Sequence, residues 1–114
     1  MARAIEWIQR AAPAALLFAA HGAFAQWHGS AYGRIQGFEV THINNFAFRV
    51  SLEGSPTLCI AGHRWAYLDG NGTNYKVFVA TLLAAKAREA SVTLYTVHDA
   101  SGQNYCRIEH VSTD

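Results

Sequence analysis

The chain reads as a small, mainly β domain with one helix, a five-stranded barrel in the order β-β-β-α-β-β. Three observations predict it. Apolar residues alternate in short runs between 33 and 112, one run between 75 and 89 has a helical period, and Gly, Asn, Asp and Ser cluster between the runs.

The elements follow in order. "GRIQGFEVTH" holds Ile35, Phe38 and Val40 in an imperfect alternation that Gly37 is placed to bend or bulge. "INN" (43–45) is a turn. "FAFRVSLEG" then alternates cleanly, with Phe46, Phe48, Val50 and Leu52 on one face, so the two runs make a hairpin. After the break "GSP", "TLCIAGHRWAYL" supplies a third strand, irregular at Gly62. "DGNGTN" (69–74) is a turn cluster whose Thr73 or Asn74 can cap a helix. In "YKVFVATLLAAKARE", Tyr75, Phe78, Val79, Leu82, Leu83 and Lys86 form one stripe facing the core. The opposite face carries Val77, Ala80, Thr81, Ala84 and Ala87, small and barely polar. Alanine is a good helix former, which accounts for such a face; close packing against a neighbouring copy accounts for it equally. "SVTLYTV", the turn "HDASGQN" and the strand "YCRIEHVS" complete the chain. One helix between the third and fourth strands of a five-stranded barrel is the OB-fold arrangement.

Upstream, Arg3 and Arg10 precede an apolar run that ends in Ala23 and Ala25, two positions apart. That is the pattern of an export signal, too short to span a bilayer. Residues 1–25 are therefore expected to be removed near Ala25. This leaves 26–114 as a single secreted or periplasmic domain, with Gln26 rather than a lipid-bearing cysteine at its start. Arg3, Arg10 and Glu6 leave with the signal, so cationic and acidic side chains balance in what remains. No basic field invites nucleic acid, and no later segment is a membrane span.

In an exported chain, the pair Cys59 and Cys106 reads as a disulfide. Closing about 48 residues stabilises a fold by roughly 4 kcal/mol in the chain-entropy model, large for so small a domain.

Chemistry is sparse. His28, His42, His63, His98 and His110 show no metal-ligand spacing. "DGNGTN" has oxygen side chains at Asp69, Asn71 and Thr73, but Ala80 stands where a calcium loop carries glutamate. There is no G-x-S-x-G and no carboxylate pair with a visible address. Neither catalytic residue, metal nor cofactor is expected. What remains is aromatic surface with polar tips, densest in "GHRWAY" (62–67). His63, Arg64, Trp65 and Tyr67 are the candidate ligand-binding residues, and Val77, Ala80, Thr81, Ala84 and Ala87 the candidate interface.

An export signal followed by "QWHGSAYGRIQGFEV", with Trp27, Gly29 and the strand around Gly37, resembles the mature start of the B subunits of subtilase-cytotoxin-like toxins. The helix running into "ASVTLYTV" is similar too. The resemblance implies an OB-fold subunit in a ring of five, helices lining the central pore, sialylated glycans on the outer face, and a separate enzymatic subunit. Gln36, the fifth candidate ligand-binding residue, stands where the family presents a serine to the sugar, and several family members have more cysteines than the two here. The expected function is a non-enzymatic binding or assembly module, in its most specific form a glycan-binding homo-pentamer. The alternatives are a monomeric periplasmic domain that binds a protein or small ligand and, behind it, a small hydrolase.

Overall fold

The computed structural model describes residues 27–114; the expected export signal lies outside them. Five strands and one helix follow the predicted order. Strand β1 (Gly29–Val40) is long and serves two partners. Its first half pairs with β4 (Ser91–His98) and its second half with β2 (Phe48–Leu52), both antiparallel. The register slips between Ile35 and Gly37, so Gln36 is the extra residue of a bulge at the predicted bend. Strand β2 also pairs with β3 (Ala66–Leu68), and β3 runs parallel to β5 (Cys106–Thr113) through Ala66–Cys106 and Tyr67–Arg107. With β5 antiparallel to β4, the order β1-β2-β3-β5-β4 closes into a barrel.

Alternation explains the interior. Phe48, Val50 and Leu52 of β2 and Val92, Leu94 and Thr96 of β4 point inward, joined by Ile35, Leu68 and Ile108. Helix α1 (Tyr75–Ala87) adds fully buried Leu82 and Ala85. Truncating Leu82 to alanine would cost about 2–5 kcal/mol. Among the described residues Thr96 is the one buried polar residue of the core; its hydroxyl donates to the Leu58 carbonyl.

Several expectations need correction. The third strand is only three residues, because 57–65 turns back on itself to bring Cys59 beside Cys106; Cys59 therefore lies in a loop, not at a strand start. The disulfide itself is present, with Cα atoms 5.7 Å apart. Gly62 is required there, since a Cβ would sit 2.2 Å from the Cys59 sulfur. Phe46 precedes β2 and does not share the inward face of Phe48. On α1, Leu83 is 48% exposed and Lys86 is exposed, while Ala85 is buried. A helix apolar on nearly every side cannot reveal its buried face by periodicity alone. Asn74 occupies the N-cap, but its side chain makes no capping hydrogen bond.

Candidate functional site

Between β1 and β2 the chain makes a 3-10 turn (Ile43–Asn45), in which His42 Nδ1 accepts from the Asn44 N–H. Phe46 and Ala47 then both adopt left-handed backbone, φ 66° and 43°. Such a conformation in a bulky residue costs about 1–3 kcal/mol and persists only when its surroundings hold it. Here the reversal buries Ala47 and turns Phe46 outward into a group of rings. Its centroid lies 5.3 Å from Trp65, 4.8 Å from Tyr67 and 4.8 Å from Tyr105. Aromatic pairs add about 0.5–1.5 kcal/mol each beyond area burial, so three such pairs offset the backbone strain.

His63 stacks on Tyr105 at 4.8 Å, and its Nε2 donates to the Gln103 carbonyl over 3.4 Å. Tyr105 in turn donates its hydroxyl to Gln103 Oε1. The Arg49 guanidinium covers Trp65, with Cζ 4.7 Å from the ring centroid, and its Nη2 donates to the Asn45 carbonyl. Arg49 Nε is buried without a hydrogen-bond partner; the electron-rich Trp65 face beneath the guanidinium compensates it.

Beneath the rings, Tyr67 donates its hydroxyl to Asp99 Oδ2. Burial first, and the Asp99 charge second, push the Tyr67 phenol up to about 12. Burial would also raise the Asp99 carboxyl. The hydrogen bonds from Ser101 and Tyr67 and the Arg107 charge outweigh it, holding the group below the usual aspartate range.

Alongside this cluster a groove of about 230 Å³ runs between residues 36–39 of β1 and 49–51 of β2. Gln36, Glu39, Arg49 and Ser51 give it polar groups, and Trp65 forms one wall. The structure thus brings together Gln36 and Trp65 at the groove, and His63, Trp65 and Tyr67 in the ring cluster. Arg64 departs: it is exposed and donates to the Ser55 carbonyl instead. Phe46 and Arg49 were missed from sequence, and Tyr105 counted only as one of many polar-tipped rings. Phe46 read as a core strand residue, and nothing local ties positions 46, 49 and 105 to 65.

A second surface lies on α1. Val77, Ala80, Leu83, Ala84 and Ala87 are exposed, and Thr81 is half-buried. Beside them Val40, Tyr75, Val79 and Leu83 line a wide, almost wholly apolar trough of about 460 Å³. Val40 is 75% and Val77 64% exposed.

Among the described residues, no group of three His, Cys, Asp or Glu could hold a metal ion, and no helix is long and apolar enough to cross a membrane. The chain matches no family model, no curated protein and no solved structure.

Proposed function

We propose that this chain is an exported, non-enzymatic carbohydrate-binding module with an OB-fold, working as a homo-oligomer. The observation that carries the reading is the groove walled by Trp65 under Arg49. Trp65, its face capped by the Arg49 guanidinium, gives the groove a rigid apolar wall for the apolar side of a sugar to rest against. Gln36, Glu39 and Ser51 offer donors and acceptors for its hydroxyls. The groove lies on the outside of β1 and β2, and OB-fold barrels use the face around their second and third strands for oligosaccharides and oligonucleotides. An even charge balance favours the sugar over the polyanion.

The oligomer is supported by the apolar outer side of α1. A helix apolar on both sides is normally covered on both. Val77, Ala80, Thr81, Ala84 and Ala87 then join Leu83 in contact with a neighbouring copy. A ring of five follows from the resemblance to toxin B subunits, as does a separate enzymatic subunit as partner. Export with cleavage near Ala25 suits a domain closed by a disulfide.

The test is a glycan screen with the oxidised, assembled protein, sialylated and neutral sugars side by side. Trp65→Ala should weaken binding by about tenfold, the equivalent of about 1.4 kcal/mol. No binding to any glycan, or unchanged affinity in Trp65→Ala, overturns the proposal.

A further inference from the structure

Where the described chain begins, two histidines meet that the groove does not use. The His28 and His98 rings stack at 4.7 Å, 20° from parallel. The backbone N–H of His98 donates to His28 Nδ1 over 2.8 Å. The His98 Nε2 lies 2.6 Å from the Ile60 carbonyl. These bonds dictate proton positions. A carbonyl only accepts, so His98 Nε2 carries a proton. An Nδ1 that accepts an N–H cannot carry one, so His28 is the neutral Nε2–H tautomer. His98 can gain a second proton and keep its bond to Ile60. His28 cannot gain one without losing its bond to His98.

We propose that the His28–His98 pair is an acid-sensitive latch that holds the start of β1 against β4 and the 58–62 loop. The backbone of His28 is the point of attachment. Its N–H donates to the Thr96 carbonyl at 2.8 Å, and its own carbonyl accepts from Ile60 N–H at 2.9 Å. Trp27, one residue earlier, packs on Tyr95 and His110, at 5.6 and 6.0 Å between centroids. Gly29, one residue later, approaches so closely that a Cβ would lie 2.5 Å from Cys59 Cα. Protonating His28 turns an accepting nitrogen into a donor aimed at a donor. It also places a cation against the face of the His98 ring.

The charged groups facing the pair do not relieve this. The 57–62 loop contributes no ionisable side chain besides the bridged Cys59. On β5 the neighbour is His110, itself a cation in acid, lying against Trp27. Asp99 follows His98 in the chain, but its carboxylate is engaged by Ser101 and Tyr67. Acid therefore loosens Trp27 and His28 first, while the core pairs of the barrel stay closed.

The experiment follows the His98 amide of the oxidised, mature protein by NMR hydrogen exchange, corrected for intrinsic exchange, between about pH 8 and pH 5. Protection of His98 N–H is expected to fall about tenfold across this range, while that of core amides such as Leu94 holds. His28→Asn keeps an acceptor at the same position that does not titrate, and its protection should be flat. His98→Gln keeps a donor for Ile60 and should still lose protection in acid, with the fall moved to higher pH because no second cation then opposes the proton on His28. Flat protection in the unaltered protein, an unchanged fall in His28→Asn, or nitrogen shifts that place the neutral-pH proton on His28 Nδ1 would each overturn the latch.

Discussion

Replacing Cys59 and Cys106 together with alanine removes the bridge from a seam that has little else to hold it. Strands β3 and β5 meet through only Ala66–Cys106 and Tyr67–Arg107, and every other strand contact in the barrel is longer. The bridge spans 47 positions, and a closed loop of that size removes about 4 kcal/mol of freedom from the unfolded chain. A domain of about 90 residues unfolds with an entropy near ~0.2 kcal/mol per kelvin, so the loss corresponds to a melting temperature about 20 °C lower. Thermal unfolding followed by circular dichroism, with and without reductant, reads this directly. The reduced protein and the double variant should agree. Both Cys side chains are buried, and Gly62 packs on their sulfurs, so alanine leaves only a small gap. A drop under about 5 °C in both samples would refute the reasoning, because the unfolded chain would then be constrained by something other than the bridge.

Other outcomes follow from the same structure. In an alkaline absorbance titration Tyr67 should ionise late, at about 12 rather than at the ordinary tyrosine value of 10.0. The fold favours the neutral phenol, so the stability it contributes is whole below pH 10 and is lost as pH climbs toward about 12. Asp99→Asn should bring the late step down; a single step for all tyrosines would contradict the burial argument. Gly29→Ala forces a Cβ to within 2.5 Å of Cys59 backbone and should destabilise by about 1–3 kcal/mol in chemical denaturation. An unchanged midpoint would mean that β1 enters the barrel less tightly. Leu83→Glu puts a charge in the apolar trough of α1, and Ala84→Leu a bulky side chain beside it. Both should give a folded monomer by native mass; an unaltered oligomer would show that this helix face is not the interface.

Much of this was legible along the chain. Strand alternation in "FRVSL" and "SVTLYTV", the punctuation at 54–56 and 69–74, and the helix between the third and fourth strands are local properties. A side-chain period of two or 3.6 requires no knowledge of partners. The cysteine pair was equally visible, because redox chemistry and loop entropy depend on the compartment and the spacing rather than on the fold.

Tertiary contacts decided the rest. The 57–65 run continues into β3 in sequence but is pulled into a loop, since Cys59 must reach Cys106. Phe46 fits the alternation of its strand, yet three rings and Arg49 hold it outward in backbone that few non-glycine residues adopt. On α1, Leu82 and Leu83 are adjacent and chemically identical, and only the barrel's shape determines that the first is buried and the second exposed. His28 and His98 stand 70 positions apart, and stack because the start of β1 pairs with the end of β4. Sequence by itself therefore determined the elements, their order and the bridge. Which faces meet, and so where the groove, the trough and the latch lie, was settled by long-range packing, in which each side chain's environment is supplied by residues far away in the chain.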